Sequence, residues 1–197
     1  MDHGDLLSGK VSLVTGAGSG IGAAIGLAFA SAGAAVAVTD IDQQAAAAVA
    51  KKCRAAGARA VAIALDVSDP SSVAAAFERL GAELSGLDIL VNNAGIVHRD
   101  PAYIGSIRST MEAQLAEAMS GNGISTHWRA IEDLSDEMFD RMLKVHLYGT
   151  FYCTRAALRL MREGGRGGRI INMGSIMGTT SLNGAPDYCA AKGAILA

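Results

Sequence analysis

No charged residue occurs between Val11 and Thr39, and that stretch is broken by glycine at 16, 18, 20, 22, 26 and 33. An uncharged run of this length could cross a bilayer as one helix. Six glycines and a change of pattern halfway argue against it. A buried strand, a glycine turn, a helix and a second buried strand account for the run better. Glycine is costly to order, so its density at 16–22 means a backbone that turns sharply or approaches something closely.

The remaining chain repeats this alternation. Lys10 to Thr15 is a β-rich run, and Ile21 to Ala32 reads as a helix with Ile21, Ile25 and Phe29 on one face, stopped by Gly33. Ala35 to Asp40 is a second apolar strand, followed by an alanine-rich helix from Asp42 to about Ala56. Ala60 to Asp66 is a third strand, and Asp69-Pro70 starts a helix through Val73, Phe77 and Leu80. Leu87 to Asn92 and Gly168 to Met173 are further strands, with a helix from about Ser135 to Arg162 between them and another opening at Asp187. Strands that are apolar throughout and alternate with helices predict a parallel sheet covered on both faces, a three-layer doubly wound α/β fold in one domain over 1–197.

Two features depart from that rhythm. A long segment at about 98–133 interrupts a fold whose connections are usually short, and within it Ser109 to Ser120 reads as a short helix with Met111, Leu115 and Ala118 on one side. It is read either as a solvated surface insertion or as a flap over a substrate mouth. Trp128, the sole tryptophan, packs on substrate or anchors this loop. The apolar helical run AAKGAILA also reaches Ala197 without a stop signal, which predicts that the chain is cut short.

The 197 residues are 50% hydrophobic and 18% charged, with a formal net charge of -2. Nothing supplies the basic surface of a nucleic-acid binder. The N-terminus lacks the basic start and apolar centre of a signal peptide. Cys53, Cys153 and Cys189 make neither a disulfide framework nor a metal-ligand spacing, so a cytoplasmic protein without a metal site is expected.

Strand, glycine turn and helix together make a site for the pyrophosphate of a dinucleotide, because the helix start offers free N–H groups and a partial positive charge. Asp40 ends the second strand, eighteen residues after Gly22, where a carboxylate would meet the adenosine ribose hydroxyls and repel a 2′-phosphate. No cation neighbours it, since Ser19 precedes Gly20 and Ile41 follows Asp40, so NAD is expected over NADP. A helix N-cap is the other role open to Asp40.

The run Thr15-Gly16-Ala17-Gly18-Ser19-Gly20-Ile21-Gly22 resembles the T-G-x-x-x-G-x-G of the short-chain dehydrogenase/reductase family. Asn92-Asn93-Ala94-Gly95 is similar to that family's N-N-A-G, and Asp66-Val67 to its adenine-contacting pair. Ser175, thirteen residues before Tyr188, and Tyr188-Cys189-Ala190-Ala191-Lys192 are similar to its catalytic serine and Y-x-x-x-K. The resemblance implies a Rossmann fold lacking the family's last strands. It implies a dinucleotide held by Gly16, Ser19, Gly20, Ile21, Gly22, Asp40, Asp66, Val67, Asn93, Ala94, Gly95, Tyr188 and Lys192, with Ser175, Tyr188 and Lys192 catalytic.

Residue types explain the chemistry. Tyr188 and Lys192 at i and i+4 share a helix face. A phenol ordinarily titrates near ~10, and a neighbouring cation stabilises the phenolate and brings it toward a useful range. Ser175 would hold the substrate oxygen against Tyr188. Where the family reads V-N-L-x-G-x-F, this chain reads Val145-His146-Leu147-Tyr148-Gly149-Thr150-Phe151. His146 thus stands in the place of an asparagine of the proton relay, either as a modified catalytic member or as a structural histidine satisfied by backbone. His3, His98 and His127 show no ligand spacing and are given no chemical role.

The implied activity is an NAD-linked interconversion of a secondary alcohol and a ketone. The pattern is most like the 3-oxoacyl-(acyl-carrier-protein) reductase and 3-hydroxyacyl dehydrogenase branch, so an acyl thioester is one expected substrate. The resemblance further implies a homodimer or homotetramer when full length, built through the helices at about 135–162 and from 188 onward. A non-catalytic dinucleotide-binding fragment or sensor is the competing reading.

Overall fold

The structure is a computed structural model and describes residues 6–121, 123–165 and 167–197. His3 lies outside the described residues. The chain forms two compact units, one from the residues up to Gly95 with Tyr148–Met173, the other from Ile96–Leu147 and Gly174–Ala197.

The first unit carries the sheet. Its strands are β1 (Val11–Val14), β2 (Ala35–Asp40), β3 (Ala60–Ala64), β4 (Ile89–Asn92) and β5 (Arg169–Asn172), all parallel, in the order β3-β2-β1-β4-β5. Helices α1 (Gly20–Ser31) and α2 (Gln43–Ala55) pack together, as do α3 (Pro70–Leu84) and α6 (Gly149–Glu163), giving a three-layer, doubly wound Rossmann sheet. Asp42 caps α2 and Asp69 caps α3, each accepting two backbone N–H bonds, and Pro70 begins α3. Asp42, and not Asp40, is therefore the N-cap after β2. The strand order reverses between β1 and β4, so the C-terminal ends of these two strands mark the switch point at which open α/β sheets bind ligands.

The core against α1 and α2 is made of small and β-branched residues, among them Val14, Ala17, Val36, Val38, Ala46, Val49, Ala50 and Val91. Of the face expected for α1, Ile25 and Phe29 pack against this core, partly buried, while Ile21 does not. Ile21 is 65% exposed, and the buried residues are Gly22, Gly26 and Ala30. A Cβ added to Gly26 would lie 3.8 Å from Val36 Cγ1, so the helix runs so close to the sheet that its smallest residues face inward.

In the second unit, α4 (Pro101–Ser120) is 20 residues long and starts eight residues before the helix expected at Ser109, with the Asp100 side chain accepting from the Tyr103 N–H. The side bearing Met111 and Leu115 points to solvent, while Tyr103 is buried near the helix start. The carboxylate of Glu117 accepts backbone and hydroxyl bonds from both Ser125 and Thr126, which folds the chain after α4 back onto it. The helix expected at about 135–162 is α5 (Asp136–Leu143), a π turn (Lys144–Tyr148) and then α6. A 3-10 turn (Ile176–Gly178) and α7 (Pro186–Leu196) complete the unit and pack on each other.

Candidate active site

In the first unit the glycine loop is fastened to the end of β4. Thr15 Oγ1 accepts from the Asn93 and Ala94 N–H groups at 3.0 and 2.9 Å and donates to the Val91 carbonyl. The Asn93 carboxamide donates to the carbonyls of Thr15 and Gly16 at 2.9 and 3.1 Å. Gly16 has φ +63°, and a Cβ there would lie 2.8 Å from Ala94 Cα. A Cβ at Gly22 would lie 2.5 Å from Asn93 Nδ2 and would run into the Gly16 carbonyl. These glycines are therefore required by close approach within the fold itself, before any ligand is considered.

The loop opens α1 with no side chain capping it and no acidic residue in its first turn, and Ser19, Gly20 and Ile21 are exposed. An exposed helix start with free N–H donors suits a pyrophosphate. Asp40 accepts from the Gly18 N–H through Oδ2 at 2.9 Å and from the Asp42 N–H through Oδ1 at 3.0 Å. Each oxygen keeps acceptor capacity for a ribose hydroxyl. Asp66 accepts from the Ser68 N–H and hydroxyl, and Val67 is buried against Gly149, whose added Cβ would lie 2.8 Å from Val67 Cγ2. The donor set around the loop and the carboxylate at the end of β2 fit a nicotinamide dinucleotide.

The second unit carries the titratable cluster. Tyr188 and Lys192 lie on α7, with the Lys192 ammonium 5.7 Å from the centre of the Tyr188 ring. Lys192 is buried, and burial lowers the proton affinity of its ammonium. Ser175 caps the 3-10 turn, its hydroxyl accepting from the Met177 N–H at 3.2 Å. That turn sits directly on α7, because a Cβ at Gly178 would lie 2.8 Å from the Lys192 carbonyl.

The ring of His146 meets that of Tyr188 edge-on, at 5.3 Å and 86°. His146 projects from the π turn and is 3% exposed. π turns recur at functional sites. Its Nε2 lies 3.0 Å from the Ile96 N–H nitrogen and 2.9 Å from the Ile96 carbonyl oxygen, so either tautomer finds a backbone partner. Nδ1 is buried with no hydrogen-bond partner among the described residues. Burial holds this imidazole below its usual range, partly offset by the Ile96 bond; the Lys192 charge adds to the lowering and Asp187 opposes it.

Two residues without a role in the sequence reading belong to this cluster. Asp187, fully buried, precedes Tyr188, and its Oδ2 is 2.8 Å from Nε2 of His98. Eighty-nine positions separate the two in the chain, and no local pattern announces the pair. The only local hint is an acidic residue in the first turn of a helix. The described residues contain no group of three or more side chains able to hold a metal ion, and no helix among them is long and apolar enough to cross a membrane.

The family model for short chain dehydrogenases matches residues 10–197. The chain is 32% identical to the 3-oxoacyl-[acyl-carrier-protein] reductase of Escherichia coli over 132 residues, covering 67% of this chain and 42% of that protein. It is 36% identical to D-threitol dehydrogenase of Mycolicibacterium smegmatis over 129 residues, 66% of this chain and 38% of that one. The chain thus spans about two fifths of the length of these curated relatives. The crystal structure of a short-chain type dehydrogenase/reductase from Mycobacterium marinum superimposes with a TM-score of 0.77 at 33% identity, covering 99% of this chain and 68% of that one. With a model matched along nearly the whole sequence and the same fold in a relative of this identity, the chain belongs to the short-chain dehydrogenase/reductase family.

Proposed function

We propose that this chain carries the dinucleotide-binding and proton-transfer parts of an NAD-linked oxidoreductase that interconverts a secondary alcohol and a ketone. The observation that carries the reading is the cluster of Tyr188, Lys192 and His146, a phenol between a buried ammonium and a buried neutral imidazole. The loop at 16–22 takes the pyrophosphate, Asp40 the adenosine ribose, and Asp66, Val67, Asn93, Ala94 and Gly95 line the adenosine and nicotinamide ends. The chemistry supplied by a bound nicotinamide dinucleotide is hydride exchange with the carbinol carbon.

The chain's own residues handle the proton. In oxidation the substrate O–H bond breaks toward the Tyr188 oxygen, and in reduction the same oxygen returns the proton to the alkoxide. Lys192 stabilises the phenolate, and Ser175 hydrogen-bonds the substrate oxygen. His146 Nδ1, buried with no hydrogen-bond partner among the described residues, can hold a water or a substrate hydroxyl next to the phenol ring. Asp40 favours NAD, because a 2′-phosphate would face a carboxylate already fixed by two backbone donors. A 3-oxoacyl or 3-hydroxyacyl thioester is the favoured substrate class, given the relative in Escherichia coli. The same reading gives a cytoplasmic homodimer or homotetramer. The exposed Phe151 and Leu158 of α6, with Arg155 stacked on Phe151, offer that contact an apolar surface.

The test has two arms. Nicotinamide fluorescence titrations should saturate with NADH at lower concentration than with NADPH, and Asp40→Ala should narrow the difference. Turnover assayed over acetoacetyl thioesters and simple secondary alcohols should fall by about 10²–10⁴-fold in Tyr188→Phe. A Tyr188→Phe protein that keeps its turnover refutes the proton-transfer assignment, and tighter NADPH binding refutes that of Asp40.

A further inference from the structure

Asp187 carries a carboxylate with no exposed surface, and neither of its oxygens accepts a hydrogen bond among the described residues. A buried polar group of this kind needs a polar partner close by. His98 Nε2 lies 2.8 Å from its Oδ2, within ion-pair distance but without the alignment of a directed hydrogen bond. The His98 ring in turn lies 4.8 Å from that of Tyr103, which is buried and donates to the Ala130 carbonyl. Ile107, one turn further along α4, meets the segment before α7, where a Cβ at Gly184 would lie 3.1 Å from Ile107 Cγ2. The start of the inserted helix is thus built onto the start of the helix that bears Tyr188.

The tripeptide Ile96-Val97-His98 holds Tyr188 from two directions. Its Ile96 backbone bonds His146, whose ring stands edge-on to Tyr188, and its His98 meets Asp187, the residue before Tyr188. We infer that His98 and Asp187 form a buried positioning pair that fixes the first turn of α7, and with it the ring of Tyr188 against His146. Neither touches the reacting atoms; His98 acts through Asp187, and Asp187 through the backbone it shares with Tyr188. The charged groups facing this turn are Lys192 on α7 itself and His146 from the π turn, while the acidic and basic side chains of α5 are exposed. Without His98 the buried carboxyl loses the polar partner beside its Oδ2, and the turn relieves the loss by moving toward water.

The functional weight of the pair rests on Tyr188 being the proton-transfer residue, but its geometry is tested without turnover. Tyrosine ring 1H–13C NMR correlations of the full chain are recorded for wild type, His98→Ala, Asp187→Asn and the double variant, with the Tyr188 signals assigned through Tyr188→Phe. His98→Ala should displace the Tyr188 ring signals by several linewidths while those of Tyr148 and Tyr152 stay in place. The double variant, which removes the buried carboxyl together with its partner, should bring them back toward the wild-type position. Tyr188 signals unmoved in folded His98→Ala, or displacements that simply add in the double variant, would overturn the inference. Should His98→Ala not fold, His98→Gln keeps a polar group at the site and supports the same comparison. Failure of this test leaves the Tyr188→Phe turnover result standing, and the reverse also holds.

Discussion

Asn93→Asp is a sharp perturbation of the nucleotide loop because it keeps the shape of the side chain and reverses its chemistry. The wild-type carboxamide donates two bonds, to Thr15 O at 2.9 Å and Gly16 O at 3.1 Å. An ionised carboxylate can donate neither. Losing two such bonds costs about 1–3 kcal/mol net. The new charge also faces two carbonyl oxygens at close range in a half-buried setting, which adds about 1 kcal/mol or more after relaxation. A total near ~3 kcal/mol corresponds to a fall in melting temperature of about 6–12 °C for a chain of this size. The deficit should shrink on acidification, since a protonated carboxyl regains one O–H donor. Scanning calorimetry of both proteins at neutral and mildly acidic pH measures this, and an NADH titration should show weakened binding through the loosened loop. A melting temperature within about 2 °C of wild type at neutral pH would refute the view that Asn93 locks the glycine turn.

Two further outcomes follow from groups outside the nucleotide loop. Glu117 is held down to about 2 by its bonds from Thr126 and Ser125, against an ordinary value of 4.5. Its folded value is depressed, so its contribution is complete above the ordinary value and is lost as pH falls through about 2. The protection of the Ser125 and Thr126 amides, taken relative to the intrinsic exchange rate at each pH, should therefore fall on acidification between those limits, and in Glu117→Gln it should be low already near neutral pH; unchanged protection in that variant would show that the loop is held by something else. Burial pushes the Cys153 thiol up to about 12 and raises that of Cys53 as well, while Cys189 is half-exposed. A disulfide reagent at pH 8 should label Cys189 in the native protein and reach the other two only as it unfolds, so fast reaction of Cys53 or Cys153 would contradict the packing of α2 or α6.

The parts of this molecule legible in the sequence are those whose signal is local and repeated. β2 is found at Ala35–Asp40 as read, because a strand buried on both faces must be apolar at every position and ends where a charge can reach the surface. α3 begins at Asp69-Pro70 as read, because an acceptor side chain followed by proline meets both needs of a helix start. The identical dipeptide, Asp100-Pro101, starts α4, eight residues before the helix that the sequence suggests there. The residues after it place Tyr103, Ile104, Ile107 and Met111 at helical spacing, but Gly105 and Ser106 break the run and weaken the signature. In α1 apolar periodicity finds Ile25 and Phe29, which pack on the core, but misses that the closest contact with the sheet is made by Gly22, Gly26 and Ala30, with Ile21 turned outward.

The candidate site divides along the same line. Tyr188 and Lys192 are visible as neighbours because helical geometry converts a spacing of four into adjacency. His146 is visible only as a substitution in a family pattern, and its inward direction comes from a π turn, which carries no sequence signature of its own. His98 and Asp187 are invisible by either route. A buried acid needs a partner, but the chain topology decides which distant base arrives, and here it brings in a histidine from before the inserted helix. The physics therefore supplies a rule that sequence reading can use in reverse. An acidic residue in a helix turn that must be buried obliges the fold to deliver a polar partner. The unassigned histidines are the first places to look for it.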